Sequence, residues 1–518
     1  MAEMMVTTLE EHAGLTAALE KQLGARRYET HISTVLVANG KAWKIKKPLD
    51  LGFLDFSTLE RRKFCCEEEL RLNGRLADDV YLRVTPICGS IDAPQLVTDD
   101  GAGCDVIEYA VEMREFPADA LLADHQELLS EEAMDAIARQ VADFQKEIAS
   151  ARTGGELGSP EAVLFPMQQN FDQVRQLIDD SDDHARLDAL NNWTVAQHQR
   201  HESLLASRLK NGFVAEGHGD MHLGNIAVED GRFIIFDGIE FNPNLSWIDK
   251  VNEIAFFMMD LDRNGHRDLS ARFLNSWLIN TGDYEGLALL RFYQVYRAMV
   301  RTKIAAFRLA QEISDEEREA VTQAYREYLS LAESYIVDEQ PRLMITCGPS
   351  GSGKSVVARA VVAHLGAVQV ASDVERKRLA GLAALESSNS GIDTGIYTRE
   401  MSQKTYQRLL QLSETILKAG FSAVADATFL KQDYRKPFAD LAERLDVPFH
   451  ILRMETSEDE LMQRVEVRLA RGDDPAEANV EVLRQQLKSQ DTLDESEQAH
   501  AIILTPPDVD AGDYLARL

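Results

Sequence analysis

Asp220, Asn225 and Asp237 are the residues of this sequence whose types and spacing fit phosphoryl transfer. The first two lie in Val214-Ala215-Glu216-Gly217-His218-Gly219-Asp220-Met221-His222-Leu223-Gly224-Asn225-Ile226, and the third closes the apolar run Ile234-Ile235-Phe236 ahead of Gly238. In such a set one carboxylate accepts a hydroxyl proton and an amide on the same loop holds magnesium. A second carboxylate, at a strand end, bridges the metal and the phosphates. Residues 226–236 read as a hairpin turning at Asp230-Gly231, so both loops leave one small sheet on the same side. The plain alternative is a polar turn with a satisfied histidine and Asx caps. The spacing favours chemistry.

A second set begins at Gly348-Pro349-Ser350-Gly351-Ser352-Gly353-Lys354-Ser355. The buried-strand run 343–347 precedes it and a helix to Leu365, closed by Gly366, follows it, which is the full Walker A pattern in its strand-loop-helix setting. Gly348, Gly351 and Gly353 let backbone amides point at phosphate oxygens. Lys354 is placed to reach the β- and γ-phosphates and Ser355 to bind magnesium. Two later apolar runs end in aspartates, Asp373 followed by Arg376 and Asp426 followed by Arg435. Residues 458–471 read as a helix with Arg464, Arg468 and Arg471 on one face. Three like charges at that spacing repel unless an anion sits among them, so this helix reads as a phosphate lid.

Other elements must position these groups. Residues 31–37 and 41–47 form a hairpin around Asn39-Gly40. Lys44 on its second strand is the candidate phosphate clamp, and Lys46, on the same face, is the runner-up. A helix over 57–76, opened by Ser57-Thr58-Leu59-Glu60, presents Glu69 as the lysine partner while Glu68 looks outward. Strands follow at 81–91 and 104–114, and the chain then reads as mostly helical up to the catalytic loop. A second helical set begins near Trp247 and reaches Tyr335. Asp249 and Asp260 could brace the loop or serve as caps or surface residues, and Arg297, Arg301, Lys303 and Arg308 read as a solvated face, with a mouth for an acidic substrate as the less favoured alternative. After a short linker at 337–342, strands at 343–347, 367–372, 422–427, 448–454 and 501–505 alternate with helices. That pattern predicts a doubly wound parallel sheet.

The loop His218-Gly219-Asp220-Met221-His222-Leu223-Gly224-Asn225 resembles the catalytic centre of the aminoglycoside phosphotransferase family, the small-molecule branch of the protein-kinase-like fold. The resemblance covers roughly residues 25–335. It implies Asp220 as catalytic base, Asn225 and Asp237 as magnesium ligands, His218 as a brace, and residues 112–116 as the hinge that meets adenine. Residues 342–518 resemble the small P-loop kinases related to zeta toxins and polynucleotide 5'-kinases. There the resemblance implies Asp373 as the residue that activates the acceptor hydroxyl and Arg376 as a substrate contact; Asp426 and Arg435 are placed on the substrate side with them. The implied fold class is an α/β and α+β multidomain protein: a bilobal kinase-like fold (1–116 and 117–336), then a P-loop kinase domain (342–518).

The implied function is a bifunctional kinase using ATP and Mg2+. The first half would phosphorylate a hydroxyl of a small molecule, and the second would act on a small-molecule or nucleotide-like acceptor. The alternatives are that one half is regulatory, as an ATP sensor or a restrained toxin-like kinase, or that the first half phosphorylates protein. The chain's 518 residues suffice for two or three domains, and its net charge of -31 argues against duplex nucleic acid or an anionic membrane as partner. Five cysteines without metal-like spacing, and no basic leader with an apolar core, lead to the expectation of a cytoplasmic protein with reduced thiols. The sequence sets no oligomeric state.

Overall fold

The computed structural model describes residues 6–518 apart from 53, 99–102, 118, 152–154, 339, 385, 387–394, 472–479, 506–513 and 516–517; for 395 and 468–471 it describes the backbone alone. The chain packs as two compact units, residues 1–129, 143–176 and 195–260 in one, and residues 130–142, 177–194 and 261–518 in the other.

In the first unit, six strands form an antiparallel sheet among the described residues: β1 (Arg26–Glu29), β2 (Ser33–Ala38), β3 (Lys41–Lys46), β4 (Tyr81–Ser90), β5 (Ala93–Leu96) and β6 (Val106–Arg114). Their order is β1-β2-β3-β6-β4-β5. Asn39 and Gly40 turn β2 into β3 with φ of 54° and 76°, the left-handed pair a type I′ turn requires. The helix Leu59–Asn73 is capped by Thr58, whose Oγ1 accepts from the Arg61 N–H at 3.3 Å. The cap is thus one residue beyond the expected Ser57, which is held instead by Asp55.

Beyond that sheet lie β7 (Val214–Glu216), β8 (Ile226–Glu229), β9 (Arg232–Ile235) and β10 (Trp247–Asp249). β8 and β9 form the expected hairpin, with Asp230 and Gly231 both at positive φ. Residues 247–249 are a strand paired with β7, not the start of a helix; the helix Lys250–Arg263 begins after them. The thiol expectation also needs correcting. Cys88 and Cys104 form a disulfide, with Cα atoms 6.1 Å apart, because β4 and the approach to β6 bring them together. Cys65, Cys66 and Cys347 are free and buried.

The second unit contains a parallel sheet of five strands among the described residues: β11 (Leu343–Cys347), β12 (Val368–Ala371), β13 (Ala423–Asp426), β14 (Phe449–Met454) and β15 (Ala501–Leu504). The order β12-β13-β11-β14-β15 puts the first strand at the centre, with helical crossovers, as in a doubly wound fold. The helices Arg267–Thr281, Leu287–Leu309 and Asp315–Tyr335 belong to this same unit. Asn275 reaches the outer edge of β12. Its Nδ2 donates to the Ala367 carbonyl at 3.0 Å and its Oδ1 accepts from the Gln369 N–H at 2.7 Å. Arg378 caps the carbonyls of Leu278 and Ile279 at the end of the helix Arg267–Thr281.

The basic residues of the helix Leu287–Leu309 do not make a solvated face. Arg297 is buried, Arg301 lies over the Tyr328 ring, Arg308 pairs with Glu317, and burial lowers the Lys303 ammonium to about 8. Helix packing on both sides overrides the polar pattern. Among the described residues, no helix is long and apolar enough to cross a membrane.

Candidate active sites

In the first unit, Lys44 and Lys46 leave the same face of β3, and the helix Leu59–Asn73 carries Glu69 to meet both. Lys44 donates to Glu69 Oε1 at 2.9 Å and Lys46 to Glu69 Oε2 at 2.7 Å. Each lysine has a second carboxylate as well, Asp237 for Lys44 and Glu240 for Lys46. Burial pushes the Glu69 carboxyl up, but the two ammonium groups outweigh it and hold it below the usual carboxylate range. Both lysines stay charged for the same reason: burial opposes the ammonium, and the surrounding carboxylates overcome it. Asp237 adopts φ 63°, unusual for a non-glycine residue and worth a functional reading. Its N–H donates to the Tyr81 hydroxyl at 3.1 Å, and the Gly238 N–H donates to Asn73 Oδ1 at 2.7 Å.

The loop bearing Asp220 is held from below. His218 Nε2 donates to the Phe236 carbonyl at 2.8 Å, and its Nδ1 accepts from the Asp220 N–H at 3.3 Å. Burial lowers the pKa of this ring, which matches the neutral tautomer those bonds need. Glu253, from the helix Lys250–Arg263, accepts from the N–H groups of His218 at 2.6 Å and Gly219 at 3.1 Å. A side chain on Gly217 would collide with this carboxylate. Asp260 does brace the loop, accepting from the Leu223 N–H at 2.9 Å. Asp249 instead forms a buried pair with Arg208. His222 accepts from the Gly224 N–H and sits 3.6 Å from Asp220 Oδ2.

Asn225 donates through Nδ2 to Asp220, which leaves its amide oxygen as the group a hard cation would take. Asp237, 43% exposed at the side chain, supplies a carboxylate of the same class. Among the described residues, no three His, Cys, Asp or Glu side chains cluster to hold a metal by themselves. An amide oxygen and a carboxylate are donors of the class magnesium takes, so the chemistry of Asn225 and Asp237 fits that ion. At the expected hinge, the Glu112 side chain is taken by Lys41, Arg83 and Thr85.

In the second unit, the loop after β11 is built on glycine. Gly351 and Gly353 have φ of 83° and 92°. A Cβ on Gly348 would stand 2.7 Å from Ser352 Oγ, and one on Gly351 would stand 3.0 Å from Val465 Cγ2. The helix Glu458–Arg471 thus packs directly on the loop. Lys354 donates to the Pro349 carbonyl at 2.8 Å, the Ser350 N–H donates to Gln486 Oε1 at 2.8 Å, and Ser355 is exposed at the helix start. This is a cradle of the shape that holds phosphates.

The acceptor-side residues divide. Asp373 opens the helix Ser372–Leu379, and Arg376 is buried one turn later, donating to Ser402 Oγ at 3.2 Å and lying over the Tyr397 ring. Asp426 is buried under the loop, accepting from Thr346 and Gln369. Arg435 is buried in a pair with Glu497 at 2.7 Å. Arg464 lies 4.0 Å from Glu460, while the side chains of Arg468 and Arg471 fall outside the described residues. Sequence reasoning missed Glu253, Glu240, Asn73, Tyr81 and Gln486. No local motif marks them.

The two candidate sites stand on different scaffolds, the first on a six-stranded antiparallel sheet and the second at the glycine-rich loop of a five-stranded parallel sheet. A family model described as an AAA domain matches residues 343–493. The uncharacterized protein Rv2004c of Mycobacterium tuberculosis is 31% identical over 415 residues, 77% of this chain and 78% of that protein. The chain belongs to the family of this mycobacterial protein. Among solved structures, a choline kinase from Cryptosporidium parvum shares 11% identity over 61% of this chain and 91% of its own, with a TM-score of 0.38. A gluconokinase from Sinorhizobium meliloti shares 19% over 35% of this chain and 94% of its own, with a TM-score of 0.25.

Proposed function

We propose that the protein is a bifunctional ATP-dependent phosphotransferase. What supports this reading is that each unit carries its own candidate groups: Lys44 paired with Glu69 and Asp237, and Asn225 bonded to Asp220, in one; the glycine loop with Lys354 and Ser355, and the helix bearing Asp373 and Arg376, in the other. In the first unit, Lys44 would hold the α- and β-phosphates, with Glu69 keeping it charged and aimed. Asp220 would take the proton of a small-molecule hydroxyl as its oxygen attacks phosphorus, and the leaving diphosphate would keep the bond pair. Asn225 and Asp237 would hold magnesium, which supplies charge neutralisation at the phosphates. In the second unit, Lys354 and the amide cradle would hold the nucleotide, Ser355 would hold its magnesium, and Asp373 would act on the acceptor beside Arg376.

A second reading, with the P-loop unit as an ATP sensor, gains from Asp426 and Arg435 being committed to internal bonds. The test is calorimetric titration with a non-hydrolysable ATP analogue and magnesium, followed by incubation with a metabolite extract and ATP labelled at the γ-phosphate. Two nucleotides per chain, falling to one in Lys354→Ala, with two classes of labelled product, is the expected result. One class of product together with two bound nucleotides would favour the sensor. A single bound nucleotide in the parent would overturn the two-site reading.

A further inference from the structure

The two lysines on β3 have different surroundings. Lys44 and Glu69 are joined by Asp237, whose carboxylate is 43% exposed. Lys46 is fully buried against Glu240, which is 4% exposed at the side chain, and lies over the Phe56 ring. Asp237 and Glu240 belong to one segment, Asp237-Gly238-Ile239-Glu240, so that segment is fastened to β3 at both ends, with Glu69 bridging the lysines.

We propose that Lys46 and Glu240 lock this segment in place so that Lys44 can pass between Asp237 and a nucleotide phosphate without releasing the metal-binding loop. The inference rests on the phosphotransferase reading of the first unit. It makes Lys46 and Glu240 positioning residues; neither touches the reacting groups. The need for a second fastener follows from geometry and charge. A phosphate arriving at Lys44 competes with Asp237 for the same ammonium, and Asp237 is held at φ 63°, which persists only where the surroundings impose it. The hydrogen bonds from Asp237 to Tyr81 and from Gly238 to Asn73 hold the near end, and the Ile239 N–H bonds the His218 carbonyl at 2.8 Å. Glu240 holds the far end through a contact that no nucleotide can reach.

Charge balance supplies the test. Lys46→Met alone leaves Glu240 buried without its cation, and Glu240→Leu alone leaves the converse excess, so either can simply unfold the protein. Lys46→Met with Glu240→Leu removes one charge of each sign and leaves Lys44 paired with Glu69, so the double variant should fold. Its amide exchange at residues 236–241 should quicken relative to the rest of the first unit. In the full chain carrying Lys354→Ala, the magnesium concentration that half-saturates binding of a fluorescent ATP analogue should rise by about tenfold or more, the scale for loss of an outer support of a metal ligand. A folded double variant with parental exchange and parental magnesium dependence would overturn the proposal. If the Lys354→Ala parent binds no magnesium nucleotide, the phosphotransferase reading fails, and exchange at 236–241 alone decides the lock: faster supports it, equal overturns it.

Discussion

Asn225 holds Asp220 twice, through Nδ2 at 3.0 Å from its main-chain carbonyl and at 3.1 Å from its carboxylate Oδ2. The candidate base and a candidate metal ligand are therefore one hydrogen-bonded group, and the carboxylate cannot rotate freely. Asp220→Asn keeps the shape of that group and removes its basicity. Turnover by the first unit should fall by about two decades or more, with magnesium–nucleotide affinity unchanged. Single-turnover kinetics beside calorimetry separates the two, and equal losses of both would show that Asp220 belongs to the nucleotide site.

Asp237 calls for a different substitution. At φ 63°, alanine adds backbone strain to the loss of charge, whereas asparagine tolerates the left-handed region. Asp237→Asn should still fold, with Lys44 kept by Glu69, yet need about tenfold more magnesium or worse. Parental turnover in this variant would remove Asp237 from the site.

Asp373 and Arg435 should part company. Asp373→Asn should leave melting unchanged and cost the P-loop unit about two decades of turnover. Arg435→Met leaves Glu497 buried without its partner, so it should cost about 3–5 kcal/mol of stability. Denaturant melts of both variants, read with product formation, check this. A stable, inactive Arg435→Met would return Arg435 to the acceptor side.

Asp262 sets a pH dependence. Burial raises its carboxyl to about 6, against the lowering effect of the Tyr335 hydroxyl, which donates to it at 2.6 Å. The unfolded chain gives up this proton near about 3.9, before the folded chain does. Its contribution to stability is thus present below the unfolded value and lost as pH rises through 6. Asp262→Asn abolishes that loss, so its melting temperature relative to the parent should be higher at about pH 8 than at about pH 4. A difference independent of pH would refute the shift.

The residues of both candidate sites were legible because each motif is local. Asp220 and Asn225 share a loop, and Gly348 through Ser355 is one turn between a strand and a helix. Glu69 was also legible, since helix periodicity alone puts it on the inner face with Leu72. Glu253 was not. It reaches His218 across 35 positions, and only its helix's docking reveals it. Arg297 and Arg435 misled for the opposite reason. A basic residue in a pattern reads as exposed or ligand-facing, and burial against a partner from a distant element, as Glu497 is to Arg435, leaves no trace in spacing.

The carboxamide of Asn275 has a consequence for anyone dividing this chain. It occupies the ladder positions that a further strand would take along β12, at Ala367 and Gln369. Severing the polypeptide at the linker would strip those groups of their cover and bare a strand margin that recruits like margins from other molecules. The C-terminal fragment should therefore self-associate, while a fragment that retains the helix Arg267–Thr281 stays monodisperse at the same concentration.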